Sequence, residues 1–347
     1  MLLLTFRDLV YRKIRFIVVT LLGALVFALL FVMTGLVEQF NLEPVDTVDA
    51  IAADWWVIPE GIAGPFTSLS AAPAQAADAV QADNKSSVVV SRANLRHEGD
   101  SLDVMLFGHE ADGLGSPTTT AGRAATASGE LVADETAGLE VGDELTMGGM
   151  AFTVVGETKN TTLLAGTPMV FVTLADAQQL VFRSTDVIGA VLVDGDVGAI
   201  PAGAKVISSD EVASDALRPL DGAISSIDLV RVLLWLVAAV IIGAVVYLSA
   251  LERQRDFAVL KAVGAPNSAL LGSLALQAVL VALCSVALAA VIQVFLAPAF
   301  PLPVRVPSRA FWQLPVLAVV MALAAGAVGM RKVLRSDPSQ AFSGAGA

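Results

Sequence analysis

The chain has 347 residues, of which 56% are hydrophobic and 16% are charged. Its mean hydropathy of +0.74 excludes an ordinary soluble globular protein, whose apolar fraction is about 45–50%. The formal net charge of −12 at pH 7 argues against nucleic acid as a partner, because binding to nucleic acid depends on basic side chains.

Four apolar segments are long enough to cross a bilayer as helices, which takes about 20 residues. They cover residues 16–37, 229–251, 267–297 and 310–330. The first follows a basic start like that of a signal peptide, but signal peptides have an apolar run of only about 7–15 residues. We therefore expect the first segment to be a retained membrane anchor.

The charge distribution predicts how these helices are oriented. Residues 38–228 carry 29 acidic and 8 basic side chains, whereas basic side chains are in excess within 1–15, 252–266 and 331–347. Short basic segments stay in the cytoplasm. We therefore expect both termini and residues 252–266 inside the cell, and residues 38–228 and the loop 298–309 outside it.

Residues 38–228 combine strand and helix patterns, which predicts a mixed α/β domain between the first and second membrane helices. Gly148-Gly149 is typical of a hairpin turn. Helices are expected at 71–82 and 173–181, and strands at 54–58, 87–90, 102–107, 145–147, 150–155, 169–173 and 190–193.

Two stalks are expected to connect this domain to the membrane helices. One is the stretch 38–49, which leaves the first apolar segment. The other is a helix that starts with Ser209 as its cap and is interrupted by Pro219 and Gly222 before the second membrane helix. We expect the stalks to carry motion between the membrane and the domain.

Motifs for catalysis are missing from the sequence. There is no Gly-x-x-x-x-Gly-Lys-Ser/Thr loop, so we expect a non-catalytic subunit that holds no ATP and no cofactor of its own. His97 and His109 are expected at the surface rather than at a metal site. The single cysteine, Cys284, is expected to pack in the core. Gln277 and Gln293, in the third apolar segment, are expected to form interhelical hydrogen bonds.

The charged stretch between the second and third apolar segments has the pattern of a short helix. Phe257, Leu260 and Val263 recur on one face, while Arg253 and Asp256 lie one turn apart on another. Gly264 and Pro266 are typical of a helix end. We expect a short helix at the membrane surface, suited to receive force from a protein docked on it.

This stretch resembles the coupling loop of the MacB/FtsX-type ABC transporter permeases, the membrane subunits of type VII ABC systems. The resemblance rests on Arg253-Gln254-Arg255-Asp256-Phe257-Ala258-Val259-Leu260-Lys261-Ala262-Val263-Gly264, with Asp256 where the family more often has Glu. The C-terminal residues Arg331, Arg335, Asp337-Pro338 and Ala341-Phe342 are similar to the closing motif of the family, with Phe in place of Leu. Residues 140–145 and 152–156 resemble the small β-rich subdomain of the same permeases.

The resemblance implies an α-helical membrane protein with four transmembrane helices plus a mixed α/β extracytoplasmic domain between helices 1 and 2, in the bacterial plasma membrane. It implies a cytoplasmic ABC ATPase dimer as partner, which binds ATP and Mg, a second permease copy, and contact with membrane lipid. The residues implied to couple to the ATPase are Glu252, Arg253, Arg255, Asp256, Phe257, Leu260, Lys261 and Gly264.

The function implied is a permease subunit that turns ATP hydrolysis by its partner into motion of the extracytoplasmic domain and export or extraction of a substrate. An alternative is an FtsX-like mechanotransmitter that regulates an extracytoplasmic enzyme, and uptake of a small solute such as an amino acid is a weaker one. The sequence leaves open the cargo, an extracytoplasmic partner, and whether the second permease copy is identical or a paralogue.

Overall fold

The computed structural model describes residues 13–252, 266–300 and 302–334. They divide into two compact units, one within Met1–Glu38 and Ser225–Ala347 and the other Gln39–Ile224. The helices in chain order are α1 (Lys13–Ile51), α2 (Ala76–Ala79), α3 (Leu174–Phe182), α4 (Ser209–Leu217), α5 (Asp221–Glu252), α6 (Asn267–Leu296) and α7 (Ala310–Leu334).

Three helical stretches of the described residues are long and apolar enough to cross a membrane: Phe16–Ile51, Ser209–Glu252 and Gly272–Ala299. Ala310–Ala324, the part of α7 whose side chains are described, is a shorter apolar helix. The protein is therefore a helical membrane protein with three long apolar helices, and a mixed α/β domain follows the first of them.

The helical unit packs around small residues spaced four apart. Within 310–324, the part of α7 whose side chains are described, the buried positions are Ala310, Leu314, Ala318 and Ala322, which form one face of the helix. This face belongs to a cluster that includes Phe27 and Phe31 of α1, Ala238, Ile242 and Val246 of α5, and Leu274, Ala278, Ala282 and Val286 of α6. Small side chains let helix backbones approach closely, which is how helices associate in lipid.

The predicted core position of Cys284 is wrong, because this residue is exposed. The buried positions around it on α6 include Ala282 and Val286. Since each residue turns the helix by about 100°, Cys284 lies about 200° from either of them and faces away from the bundle.

The strands of the α/β unit are β1 (Trp55–Pro59), β2 (Ala72–Pro73), β3 (Asn84–His97), β4 (Asp100–His109), β5 (Ala121–Gly122), β6 (Glu130–Asp134), β7 (Glu144–Met147), β8 (Met150–Thr158), β9 (Thr162–Leu163), β10 (Thr167–Thr173), β11 (Val187–Ile188), β12 (Ala190–Asp194) and β13 (Ala204–Ser208). Most of them form a mixed sheet in the order β13-β1-β12-β3-β4-β10-β6-β8-β5. In it β4 and β10 run parallel, as do β6 and β8, while the other pairs are antiparallel.

Each face of the central strands is covered by helices. Val88, Val90 and Phe107 lie in one core together with Val48 and Ile51, from the end of α1. Val89 and Leu106 point to the other face, where Ala177 of α3 packs on them. The alternation along β3 and β4 follows from the two-residue period of a strand.

Local signals in the sequence place several of these elements. All seven predicted strands are present, and Gly148 and Gly149, with φ of 59° and 86°, form the two-residue turn between β7 and β8. Thr173 caps α3 by accepting a hydrogen bond from the amide of Asp176. The cap of α4 is Ser208 rather than the predicted Ser209, and it forms a capping box with Glu211.

Two other predictions about this unit are wrong in part. The expected helix at 71–82 is only the single turn α2, because Ala72 and Pro73 pair with β11 instead. The helical interruption before the second membrane helix is a 3₁₀ turn at Arg218–Leu220, and α5 already begins at Asp221. Gly222 therefore lies inside α5.

Candidate functional site: the ends of α5 and α6 and the polar contacts of α1

The predicted coupling residues lie almost entirely outside the described part of the chain. Glu252 is the exposed last residue of α5. The others lie within residues 253–265, which the structure does not describe: Arg253, Arg255, Asp256, Phe257, Leu260, Lys261 and Gly264. What the structure does describe is how the helices on either side of this segment are held.

A buried side-chain hydrogen bond joins α5, three residues before its last residue, to α6, ten residues after its first residue. Gln277 Nε2 of α6 donates to Ser249 Oγ of α5 over 3.0 Å. Apolar contacts of Val246, Ala250 and Leu274 surround the bond. This confirms the interhelical role expected of Gln277, whereas Gln293 donates within its own helix, to the carbonyl of Ala290.

The α6 side of the segment begins at a proline. Pro266 precedes the first residue of α6 and has extended backbone angles, with φ of −69° and ψ of 146°. Its ring fixes φ, and it has no N–H that would need a partner at the helix start. Pro266 therefore determines where α6 starts.

The first helix touches α6 at a point where only a very small side chain fits. Ser285 Oγ donates to the carbonyl oxygen of Thr20 over 3.2 Å. A Cβ atom added to Gly23 would lie 2.7 Å from Ser285 Oγ. Gly23 therefore sets the distance between α1 and α6, as small residues do in membrane helix pairs.

An ion pair joins the end of the first apolar segment to the start of α7. The guanidinium of Arg309 donates to the carboxylate of Glu38, and the Glu38 side chain is largely buried. Close by, a Cβ atom added to Gly35 would lie 2.7 Å from Val304 Cγ1. The chain before α7 therefore lies directly against α1.

The last turns of α1 are anchored in the α/β unit by Glu43, which is 2% exposed. One carboxylate oxygen of Glu43 accepts a 2.7 Å bond from the amide of Gly166, and the other accepts a 3.1 Å bond from that of Ala165. Leu164, Ala165 and Gly166 all have positive φ, and they form the loop between β9 and β10. One turn further along α1, Thr47 Oγ1 donates to the carbonyl of Thr162 over 2.7 Å.

The loop 161–166, which we take to include β9 and the turn after it, is also held at its start by Asp134, a buried residue at the end of β6. Asp134 Oδ2 accepts from both the amide and the hydroxyl of Thr161, at 2.7 and 2.8 Å. Its Oδ1 accepts from the amide and the hydroxyl of Thr136. A carboxylate with four such donors needs no cation to be stable in the interior. The loop 161–166 is therefore fixed to both the sheet and α1.

His109 is fully buried, so the predicted surface position is wrong for this residue. It ends β4, with Nδ1 2.9 Å from the carbonyl oxygen of Glu110 and the ring against Phe171. Burial lowers the pKa of its imidazole below the ordinary value. Within residues 13–252, 266–300 and 302–334, no group of three His, Cys, Asp or Glu side chains is placed to hold a metal ion.

The sequence contained only part of the information needed to find the Glu43 anchor. Glu43 and Thr47 are four residues apart and so share a face of a helix, which could have been recognised. Their partners are main-chain groups of Thr162, Ala165 and Gly166, and main-chain donors and acceptors leave no pattern in a sequence.

Comparison with known proteins adds three observations. Residues 229–338 match the family model of the FtsX-like permease C-terminal. An uncharacterised ABC transporter permease of Mycobacterium tuberculosis is 39% identical over 99% of this chain and 100% of its own length, and a second one from that species is 37% identical over the same shares. The periplasmic region of MacB from Actinobacillus actinomycetemcomitans aligns with 47% of this chain and 92% of its own, at 12% identity and a TM-score of 0.34, too low to establish a shared fold.

Proposed function

Because this chain belongs to the ABC transporter permeases, we propose that it is the membrane subunit that couples ATP hydrolysis by a separate cytoplasmic ATPase to motion of its α/β domain. An ABC permease works with an ATPase partner, which supplies the nucleotide chemistry. ATP and Mg would be bound there, and this chain would be non-catalytic.

The observation that carries the proposal is the position of the charged segment 252–266. It lies within the FtsX-like region 229–338, between α5 and α6. The Ser249–Gln277 bond ties these two helices together beside it, so a push on the segment would move both helices at once. We propose that Arg253, Arg255, Asp256, Phe257, Leu260, Lys261 and Gly264, with Glu252, form the contact with the ATPase.

We further propose four membrane helices, at 16–37, 229–251, 267–297 and 310–330. The termini (1–15 and 331–347) and residues 252–266 would be cytoplasmic, and residues 38–228 and 298–309 would be extracytoplasmic. The Glu38–Arg309 ion pair supports this topology, because one residue follows the first helix and the other precedes the fourth. Both must lie on the same side of the membrane to pair. The plasma membrane of a bacterium fits this arrangement.

A second permease copy and lipid are proposed to cover the outer face of the helices. Exposed apolar side chains are frequent on α5, at Leu229, Val232, Leu233, Leu236 and Val240. An ABC ATPase acts as a dimer on two membrane subunits, so we propose a pair of permeases over a pair of ATPases. Glu43 and Thr47 support transfer of motion to the α/β domain, because they tie α1 to the loop 161–166.

We propose export or extraction of a substrate as the outcome of this motion. FtsX-type mechanotransmitters usually have a smaller external domain than the α/β unit Gln39–Ile224. The size of this unit therefore favours transport over regulation of an external enzyme.

The test is a pair of substitutions in the coupling segment, R255E and L260D. In the complex reconstituted with its ATPase, we expect each to reduce the permease-stimulated rate of ATP hydrolysis at least fivefold while the protein stays in the membrane. R183E, on the exposed end of α3, is the control and should leave the rate unchanged. Stimulation that survives both substitutions would refute the proposed contact.

A further inference from the structure

One edge of β3 has a gap between two neighbouring strands. On the edge away from β4, β12 pairs with β3 only up to Val88, and β7 joins it only at Leu95. On the opposite edge β4 pairs without a break from Val89 to His97. A cavity of about 690 Å³ lies along the open edge at residues 91–94, which we call the edge notch.

The main-chain groups of Arg92 and Asn94 point into the edge notch. The carbonyl of Val88 accepts from the amide of Gly189, beside β12, whereas the amide of Ser87 donates to Glu110, on the β4 edge. Successive residues of a strand direct their N–H and C=O groups to opposite edges. Arg92 and Asn94 lie an even number of residues from Val88, so their N–H and C=O groups face the notch and can pair with one more strand. The carbonyl of Arg92 also accepts a 3.3 Å bond from the Ser91 hydroxyl, which leaves its second lone pair for a partner strand.

Two arginines flank the notch on one face of the sheet. Arg92 and Arg96 are exposed, and four residues of strand put them about 13 Å apart. Within the part of the chain that the structure describes, neither has a carboxylate within ion-pairing distance, unlike Arg123 with Glu130 or Lys159 with Glu135. Residues 38–228 carry 29 acidic and 8 basic side chains, so two neighbouring arginines without an acidic partner stand out in this part of the chain.

The amide of Asn94, between the two arginines, is already engaged. It donates to Asp103 Oδ1 over 2.9 Å and accepts from the Ser101 hydroxyl over 2.6 Å, both on β4. Asn94 therefore offers its main chain to the notch while its side chain is held on β4.

The opposite face of the notch is apolar. Ala93 points to this face, where Leu180 and Val181 of α3 pack against the same core. The turn at Gly148-Gly149 closes one end of the cavity, and Leu69, 60% exposed, also lines it. A chain lying in the notch would meet positive charge on one face and apolar side chains on the other.

We propose that the edge notch binds an extended peptide in which acidic and apolar side chains alternate, added as a strand to β3. Acidic side chains would lie on the face of Arg92 and Arg96, and apolar ones on the face of Ala93. A lipid headgroup carries its charge at one point and cannot meet two guanidinium groups about 13 Å apart together with the main-chain groups of Arg92 and Asn94. The site does not depend on the contact with the ATPase.

Two fluorescein-labelled peptides of equal composition test the site by anisotropy on the full-length protein in detergent micelles. Glu-Val-Glu-Val-Glu-Val should bind at least tenfold more tightly than Glu-Glu-Glu-Val-Val-Val. The double substitution R92E/R96E should weaken binding of the first peptide at least tenfold. K159E/K205E makes the same change in net charge elsewhere on the unit and should leave binding unchanged. Equal binding of the two peptides, or binding that survives R92E/R96E, would overturn the proposal.

N-methylation of the alternating peptide tests strand addition itself. If the peptide runs antiparallel to β3, its acidic residues lie directly opposite the β3 residues whose main-chain groups face the notch. Such opposite residues share a face of the sheet and exchange hydrogen bonds, so the amides of the acidic residues point toward β3. Methylating the three Glu amides should then abolish binding, while methylating the three Val amides should leave it intact. A parallel peptide would show the reverse. Equal effects of both, or no effect of either, would exclude pairing with the strand edge.

Discussion

The side-chain amide of Gln277 in α6 donates a 3.0 Å hydrogen bond to the hydroxyl of Ser249 in α5, and both residues are buried. Ser249 lies three residues before Glu252, where the segment that we propose as the ATPase contact begins. It connects the two helices that would receive the push, and it is a polar contact in an otherwise apolar part of the cluster. Its strength can be measured directly.

A double-mutant cycle with S249A and Q277L should show that the two side chains interact. Hydrogen bonds between membrane helices average about 0.6 kcal/mol and reach about 1.7 kcal/mol. In micelles, S249A should lower the free energy of unfolding in both backgrounds. We expect the decrease to be about 0.6–1.7 kcal/mol larger in the native background than in the Q277L background. As a control, S285A should combine additively with Q277L, since eight helical residues separate the sites by about 12 Å. Additive S249A and Q277L effects would contradict the bond.

The close approach of α1 and α6 predicts that G23A is costly. The new Cβ would lie 2.7 Å from Ser285 Oγ and 3.1 Å from Ser285 Cβ, so the Ser285 side chain must turn away from Thr20 and the helices must move slightly apart, at a cost of about 1–3 kcal/mol in the free energy of unfolding. G272A, in α6, meets nothing within 4 Å and serves as the control. The S285G substitution should recover part of the loss in the G23A background. Equal stability of G23A and G272A would show that the helices are not in contact there.

Removing the Glu43 carboxylate should release the loop that it holds. In E43A the amides of Ala165 and Gly166 lose their acceptor, and leaving buried donors unsatisfied costs about 1–3 kcal/mol. We expect these two amides to exchange hydrogen for deuterium at least tenfold faster in the full-length protein. E60A removes an exposed carboxylate of the same unit and should leave their exchange unchanged. Unchanged protection in E43A would show that the anchor does not hold the loop.

Burial of His109 predicts that stability falls in mild acid. Burial holds the pKa of its imidazole below the ordinary value of about 6.5, so the unfolded chain binds a proton at a pH where the folded chain does not. The free energy of unfolding should therefore decrease as pH falls below about 6.5, by at most about 1.4 kcal/mol per pH unit, until the folded pKa is reached.

Urea titrations between pH 7.5 and 5.5 measure this slope. The H109Q substitution should flatten it, since Gln carries no charge in this range and keeps a donor for the carbonyl of Glu110. A slope that persists in H109Q would assign the effect to other groups.

The sequence was sufficient where a local pattern determines the structure. Gly148-Gly149 predicted its hairpin because both positions need positive φ, and the helix predicted at 173–181 is α3, for which Thr173 is the cap. β6 was not predicted: Leu131, Val132 and Ala133 are all buried, so the strand has no alternation of polar and apolar residues. Alanine-rich residues 71–82 predicted a helix, but pairing of Ala72 and Pro73 with a distant strand prevails over their helical propensity.

The polar contacts depend on pairs of residues far apart in the chain. Glu38 with Arg309, Ser249 with Gln277 and Glu43 with Gly166 are separated by 271, 28 and 123 residues. One sequence indicates that such side chains need partners but not which partners they find. The coupling segment differs from these contacts, because its role is predicted from the consecutive residues 252–264 and needs no distant partner within the chain.

The most direct test of the account is a photo-cross-link from position 257 in membranes that contain the permease with its ATPase. A benzophenone side chain in place of Phe257 should give an adduct whose mass spectrum identifies the ATPase subunit. The same probe at Phe295, exposed at the other end of α6, should give none. An ATPase adduct from position 295, or no ATPase adduct from position 257 in an assembled complex, would contradict the central claim that the ATPase contacts residues 252–266.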